Sequence, residues 1–419
     1  MFAVDIVALG IAMCFASWVV YDTPVLWRAQ LPVGGSLWPV VGMMFGSALL
    51  LAYIMMMTWA KSAPRPNYGR AVALVAITVG ITALGLVLTR SYWSRSFLFM
   101  TAAAWLTMAL VHRFIRRQRP WAEAMVLVTG EKELAGQLQD APHANVLGML
   151  YPWERPPESP IPEGATLVVD LRAVMSEEMA QFVSSTSIAG YRIRTLTDVY
   201  EEHTGRIPLV HLAEGWELTQ PVERSGYATV KRGLDMIVVM LTAPLWITLA
   251  GLIWLVVRLD SHGPGLYHQE RVGQGDRIFV LHKFRTMVDG AELDGPQFAR
   301  IEDPRLTRAG AFLRKSRLDE LPQLWNVLKG DVSLVGPRPE RPVFVERYEQ
   351  TIPYYGKRHV IRPGITGWAQ VNYGYADDEA DAVEKLTYDL FYVKHSSLSF
   401  DLHVLGKSVW TVLTGFGAR

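Results

Sequence analysis

Four apolar stretches fill the first part of this chain, running approximately Val4–Val20, Leu37–Trp59, Ala71–Leu88 and Phe97–Ile115. Each is close to the ~20 residues that a helix needs to cross a hydrocarbon core. At that depth no water is present to satisfy backbone N–H and C=O groups, so the backbone must be helical there. A removable signal peptide would explain only the first stretch, which lacks a basic segment ahead of it. The connections are short and predict helical hairpins. Lys61, Arg65 and Arg70 lie between the second and third stretches, and Arg113, Arg116, Arg117 and Arg119 close or follow the fourth. The alternate loops hold only Arg28, then Arg90 with Arg95. An excess of Lys and Arg marks the cytoplasmic side, so the reading is four spans with both ends inside. Composition adds little: 41 Lys+Arg against 40 Asp+Glu give no pointer to nucleic acid. The single cysteine, Cys14, excludes an internal disulfide and reads as a membrane-buried bystander.

From about Trp121 to Leu212 short apolar runs alternate with amphipathic ones. "AMVLVTG", "NVLGMLY", "TLVVDL" and "RIRTLTDV" read as strands, and "EKELAGQLQ" and "SEEMAQFVSSTS" as helices. That alternation predicts a small parallel α/β layer, with the Pro-rich run Pro152–Pro162 as a surface loop. A nucleotide site is tempting, but the first strand is followed by one glycine, Gly130, then Glu131 and Lys132. There is no G-x-G-x-x-G turn, and an acid at that point would repel a pyrophosphate. A structural or regulatory module is the preferred reading.

A fifth apolar segment, "MIVVMLTAPLWITLAGLIWLVV", follows Lys231 and Arg232 and is closed by Arg258. Its length suits a full crossing. Against that, Pro244 removes a helical hydrogen bond inside it, and basic residues flank both ends. A crossing would also put the rest of the chain outside. A kinked transmembrane helix and a helix–break–helix that enters and leaves by one face both remain open.

The remainder, Leu259–Arg419, concentrates Arg, Pro and Gly in a few strings. "GLYHQERVGQGDRIFVLHKFRTM" predicts a β-hairpin around Gly273-Gln274-Gly275-Asp276, with Lys283 and Arg285 on one face of the pleat. In Asp319-Glu320-Leu321-Pro322 the proline suits the first turn of a helix, predicted from about Asp319 to Lys329 with Gly330 as its stop. Asp319 could then be no more than an N-cap. Its surroundings argue for more. Arg314 and Arg317 precede the dyad, Arg338 and Arg341 follow it in a Gly-Pro-Arg-Pro turn, and Lys357, Arg358 and Arg362 come next. Guanidinium groups near a helix start form an anion site suited to phosphate. Two carboxylates there would weaken such a site unless they attack phosphorus or hold a divalent metal. Asp303 and Arg305 read as a structural ion pair, and His268 and His282 have no spacing that suggests chemistry.

From Lys231 onward the strings "KFRTM", "DPRLTRAGAFLRKSRLDELPQLWNVLKGDVSLVGPRPE" and "RPGITGWAQVN" stand in an order that resembles the monotopic polyprenyl-phosphate phosphoglycosyl transferases, the bacterial sugar transferase family. The likeness is greatest to large members acting as undecaprenyl-phosphate galactose phosphotransferases. Two small departures are Ala243-Pro244 in place of Ser-Pro, and Tyr373 where Gly is usual. The resemblance implies a membrane α plus α/β protein. A four-helix transmembrane bundle (1–118) would precede a small Rossmann-like cytoplasmic module (119–225) and an α/β catalytic domain (226–419) with a re-entrant helix over 232–258. It also implies Asp319 as nucleophile and Glu320 as its partner, with Asp319 contributing to a bound Mg²⁺. Lys283, Arg285, Arg314, Arg317, Arg338, Arg341 and Arg362 would contact phosphate. The substrates implied are a UDP-sugar, giving galactose 1-phosphate or glucose 1-phosphate, and undecaprenyl phosphate. The setting implied is a homodimer in the bacterial inner membrane that starts O-antigen, capsule or exopolysaccharide synthesis.

Two other classes share part of this pattern. A membrane-anchored nucleotide-sugar-modifying enzyme would need a glycine-rich loop, which is absent, and a Tyr-x-x-x-Lys pair. That pair occurs as Tyr227 with Lys231, outside the α/β layer. A non-catalytic scaffold would keep the spans but need not keep Asp319, Glu320 and the arginines together.

Overall fold

The computed structural model describes residues 2–29, 37–59, 68–90, 94–117, 122–159, 161–212, 226–291, 303–373 and 379–414. The chain forms two compact units, Met1–Trp121 and Ala122–Arg419.

The first unit is helical: α1 (Phe2–Tyr21), α2 (Trp38–Trp59), α3 (Tyr68–Leu88) and α4 (Arg95–Arg117). All four are long and apolar enough to cross a membrane. They share one buried cluster in which Ala8, Ala12 and Ala16 of α1, spaced by four, lie on one helix face with Leu9 and Met13, alongside Met44, Leu74, Phe97 and Trp105. Small residues at that spacing let neighbouring backbones approach closely. Lys61, Arg65 and Arg119, on which the orientation argument partly rests, lie outside the described residues. Arg113, counted above among the basic residues that mark the cytoplasmic side, is in fact paired inside the bundle. Its guanidinium is fully buried and grips Asp5 of α1 through two 2.7 Å bonds, while Trp105 Nε1 donates to the Asp5 carbonyl at 2.7 Å. A buried charge needs an opposite charge with its hydrogen bonds filled. Arg113 therefore ties α4 to α1 and adds nothing to the surface charge that sets orientation.

The second unit begins with a four-stranded parallel sheet of β1 (Glu123–Val128), β2 (Ala144–Leu150), β3 (Thr166–Val169) and β4 (Arg192–Thr195), in the order β2-β1-β3-β4. Strand alternation sorts its core to two faces. Met125, Leu127 and Val168 pack with helices α5 (Lys132–Gln139) and α7 (Leu196–Thr204). Val126, Val128, Leu167 and Val169 pack with α6 (Glu177–Ile188). The expected strand "RIRTLTDV" is shorter than its apolar pattern suggested. Thr195 Oγ1 accepts from the Asp198 N–H at 3.1 Å and starts α7, so only Arg192–Thr195 stay extended. At Gly130 a Cβ would lie 2.7 Å from the Trp153 ring, so the indole covers the turn where a dinucleotide loop would bind.

The fifth apolar segment is two helices, α8 (Gly226–Leu241) and α9 (Ala243–Asp260), with Pro244 in the first turn of α9. The break frees carbonyls at the end of α8. Thr242 Oγ1 donates to Val238 O at 2.7 Å and Trp246 Nε1 to Val239 O at 3.0 Å. Val239 O is thus filled by a side chain, while Val238 O also keeps its backbone partner, the Thr242 N–H at 3.1 Å. Large apolar side chains on both arms stand exposed, Leu241 at 77% and Leu245 at 73%.

Beyond α9 come the hairpin β5 (Leu266–Val272) and β6 (Ile278–Phe284), then α10 (Arg308–Ser316), α11 (Gln323–Lys329), β7 (Ser333–Val335) and α12 (Pro342–Thr351). The chain continues with β8 (Gly364–Thr366), α13 (Trp368–Asn372), α14 (Glu379–His395) and α15 (Leu398–Thr414). The hairpin is antiparallel with Lys283 opposite Tyr267, and β7 pairs β8 in parallel. Arg232 of α8 caps the end of α11, donating to Val327 O and Leu328 O. The α/β layer and this half share a seam. Glu201 accepts from Lys394 and His395, each at 2.8 Å. Arg206 pairs with Glu384, Trp368 Nε1 donates to Gly205 O at 2.8 Å, and Ile207 and Leu212 enter the core of Val345, Leu386 and Leu390. The expected boundary near 225 falls within 213–225, outside the described residues.

Candidate active site

The dyad sits where three elements meet. Helix α10 ends at Arg317, whose φ of 58° is left-handed and whose N–H returns to Arg314 O at 3.2 Å. That conformation costs a non-glycine residue about 1–2 kcal/mol. It turns the chain into a 3₁₀ segment, Leu318–Glu320, before α11 begins at Gln323. The helix expected from Asp319 thus starts four residues later, and Asp319 caps nothing: the described cap of α11 is Pro322. The sharp turn instead buries both carboxylates, each residue 8% exposed, against β6.

The two acids differ in their partners. Glu320 Oε1 draws Arg338 at 3.1 Å, Lys283 at 3.4 Å and Arg317 at 3.9 Å. Among the described residues, no hydrogen bond or ion pair holds the Asp319 carboxylate, although Asp319 lines a cavity of about 500 Å³. Burial would raise Glu320, but Arg338, Lys283 and Arg317 outweigh it and hold the carboxyl down at about 2. Burial first, and then the Glu320 charge, push Asp319 up to about 6. Lys283 is brought down to about 8 by burial, with Glu320 opposing. The pair therefore holds one committed anion and one carboxylate that titrates near neutrality.

Lys283, Arg285, Arg314, Arg317, Arg338 and Arg341 all line the same cavity. Two of them have other work. Arg314 Nε donates to Thr286 Oγ1 at 3.0 Å. Arg285 clamps the turn after α9, donating to Ser261 O at 2.8 Å, His262 O at 2.7 Å and Ser261 Oγ at 2.7 Å. Its guanidinium serves the exit from the apolar helix pair as well as facing the cavity. Arg362 is not brought together with the rest. It lines a second, smaller cavity of about 250 Å³ with Tyr227, Lys231 and Asp235. The reason is topological: Arg362 leads into β8, which pairs β7, and β7 packs on α8. Tyr227 and Lys231 both bind Asp401 of α15, so that pair joins helices. Asp303 and Arg305 form the expected ion pair, two-pronged at 2.8 and 2.6 Å. His268 and His282 meet across the hairpin, Nδ1 to Nδ1 at 2.8 Å, away from the dyad's cavity.

Residues 226–415 match the family model described as bacterial sugar transferase. A UDP-glucose:undecaprenyl-phosphate glucose-1-phosphate transferase of Caulobacter vibrioides is 39% identical over 198 residues, 46% of this chain and 73% of that protein. The chain belongs to the bacterial sugar transferase family. Within this family, a UDP-N-acetylgalactosamine-undecaprenyl-phosphate N-acetylgalactosaminephosphotransferase of Aeromonas hydrophila is 42% identical over 257 residues, 60% of each chain. An undecaprenyl-phosphate galactose phosphotransferase of Salmonella typhimurium is 38% identical over 208 residues, 45% of this chain and 41% of that one. This chain thus spans 60% or less of the length of those two relatives. The bacterial sugar transferase match covers the dyad and its cavity; the α/β layer lies outside it.

The same cavity is also lined by Tyr348, Gln370, Ala382 and Lys385, none of them singled out from sequence, and by Arg358. Arg358 is buried, donates to Tyr355 Oη at 2.6 Å and Arg338 O at 2.8 Å, and pairs with Asp389 at 2.7 Å. A signal existed in α14: Ala382, Leu386, Asp389, Leu390 and Val393 are buried in the helix, and a carboxylate on an apolar face demands a partner.

Proposed function

We propose that this chain moves a hexose 1-phosphate from a UDP-sugar onto undecaprenyl phosphate through a covalent aspartyl intermediate, and so starts bacterial surface polysaccharide synthesis. The observation that carries this reading is the asymmetry of the dyad: Glu320 is held by three cations, while Asp319 is buried, has no bonded partner among the described residues and lines the cavity. In the first step an Asp319 oxygen attacks the sugar-bound phosphorus, the bond to the bridging oxygen breaks, and UMP leaves with that oxygen. In the second a phosphate oxygen of undecaprenyl phosphate attacks the same phosphorus and the Asp319 carboxylate departs, leaving a sugar diphospholipid. No proton need move, because UMP and a carboxylate are both stable anions. Catalysis then rests on bringing anions together, and Lys283, Arg314, Arg338 and Arg341 supply the opposing field. Covalent capture lets a soluble and a lipid substrate use one site in turn.

The residues also fit a divalent cation. Asp319 offers hard oxygen donors with no protein partner among the described residues, which suits Mg²⁺. Bound there, Mg²⁺ would neutralise diphosphate charge. The α8–α9 break supports a helix pair that enters and leaves one face of the inner membrane, with the cavity on the cytoplasmic side. Four spans precede it, the α/β layer is a Rossmann-like accessory module, and the assembly is a homodimer. Galactose 1-phosphate is the proposed cargo. Relatives named for glucose, galactose and N-acetylgalactosamine donors make the C2 and C4 substituents the ones to compare. Competing UDP-sugars, with mass spectrometry of the lipid product, test that choice. UMP release from membranes given both substrates separates the transferase from a scaffold.

The pH profile follows from the signs. Asp319 attacks only when ionised, and burial with the Glu320 charge raises its carboxyl, so kcat/KM should rise with pH on the acid side, the limb moving to lower pH as Mg²⁺ is raised. Lys283 loses its charge above about 8, and activity should fall there. Glu320 stays ionised throughout. Lys283→Arg should carry the alkaline limb upward. A profile flat from pH 5 to 9 would remove the case for both groups.

Topology gives a second expectation. Pro244→Leu restores an N–H and should join α8 and α9 into one crossing helix. A C-terminal tag, shielded in the parent, should become reactive toward external reagents in intact cells. A tag that stays shielded counts against the break as the cause of re-entry.

A further inference from the structure

Around Lys385 the charges of the cavity do not balance. Arg358 pairs with Asp389 at 2.7 Å, Arg271 meets Glu340 at 3.5 Å, and Arg338 holds Glu320 at 3.1 Å. Lys385 of α14 lines the same space and, among the described residues, makes no hydrogen bond or ion pair. Its ammonium is not sealed into the protein wall, as the Gln370 amide oxygen is, and so stays open to an incoming group. The charges that act on it most include Glu340, Arg338 and Arg358, all of which line the cavity, so the ammonium faces that space. Burial lowers the lysine below its ordinary range, and Glu340 opposes the shift without closing to an ion pair. A buried cation left unmatched is unfavourable until an anion reaches it.

We propose that Lys385 holds the nucleotide phosphate of the donor, the one that departs with UMP, and offsets the charge that the breaking bond leaves on it. The inference rests on the UDP-sugar reading above and adds a residue to it. A diphosphate presents two phosphates in sequence, and only one of them can meet Asp319. Arg338 is common to both places: it holds Glu320 beside the nucleophile and acts strongly on Lys385. As Asp319 bonds to the sugar-linked phosphorus, the bond from that phosphorus to the bridging oxygen breaks. The electron pair stays on the bridging oxygen, so the departing phosphate gains one negative charge and no proton moves. An ammonium already in place meets that charge without water having to reorganise. Neither a uracil ring nor a sugar hydroxyl carries a charge, so neither would offset a buried ammonium.

The test uses the full chain in detergent, with equilibrium binding of UMP and uridine, UMP release and thermal melting. Lys385→Met should weaken UMP about tenfold or more and leave uridine unchanged, the scale of losing a charge-assisted hydrogen bond. UMP release at saturating donor should fall by about 10²-fold. The variant should melt at or above the parent, because a buried charge without a protein partner has gone. Lys385→Arg keeps the charge and should bind UMP within about threefold of the parent. Equal losses for UMP and uridine would mean a contact to the nucleoside, and unchanged UMP binding would assign the ammonium to the lipid phosphate; either overturns the proposal. Melting well below the parent would make Lys385 a structural residue and do the same. UMP that fails to bind the unmutated chain removes the donor reading and the proposal together, whereas UMP that binds both chains alike removes the proposal alone.

Discussion

Asp319→Asn should cut UMP release by at least roughly 10³-fold, the scale of losing a covalent nucleophile, and leave the chain folded. The amide matches the carboxylate in shape but cannot displace UMP. Its cost to the fold is small, since among the described residues Asp319 makes no hydrogen bond that the change would break. Burial and the Glu320 charge already disfavour an anion there, so a neutral side chain relieves a penalty. Radiolabelled UMP release and thermal melting of the purified variant give both readings. Turnover like that of the parent would rule out the covalent role.

Arg358→Met should be the most damaging single change to the catalytic half, costing about 3–5 kcal/mol, the usual scale when one partner of a buried ion pair is removed. Arg358 and Asp389 are 5% and 2% exposed at their side chains and lie 2.7 Å apart. The same guanidinium holds Tyr355 and the Arg338 carbonyl. Its loss would strand Asp389, which burial already raises to about 6 against the pull of Arg358 and Lys385. An apparent melting temperature roughly 10 °C lower is expected for a unit of this size. The double variant Arg358→Met with Asp389→Leu should recover much of it, because no charge is then left unpaired. A single variant that melts with the parent would show that the pair contributes nothing.

Much of this was legible because it is local. Apolar runs of membrane length, the Gly-Gln-Gly-Asp hairpin, and the strands that alternate with helices each declare themselves within a dozen residues. The dyad was legible through the basic residues crowded around it in sequence. What escaped depends on distant partners. Nothing near Arg113 announces Asp5, some 108 positions away. Arg285 and Arg362 read as phosphate ligands like their neighbours. One is shared with the carbonyls of Ser261 and His262, and the other is carried to a second cavity by the β7–β8 pairing. The left-handed Arg317 was equally hidden, since neither glycine nor asparagine marks the turn that displaces the helix start from Asp319.

The seam between the α/β layer and the transferase half bears on how this protein can be dissected. Excising the latter at about residue 226 would strip the Trp368 indole of the Gly205 carbonyl and leave Lys394 and His395 without Glu201. It would also uncover the apolar patch over Leu386 and Leu390 where Ile207 and Leu212 lie. The helix thereby loosened is the one that carries Lys385 and Asp389. A minimal fragment would therefore need either its own surface redesign along that helix or the preceding layer retained as a brace.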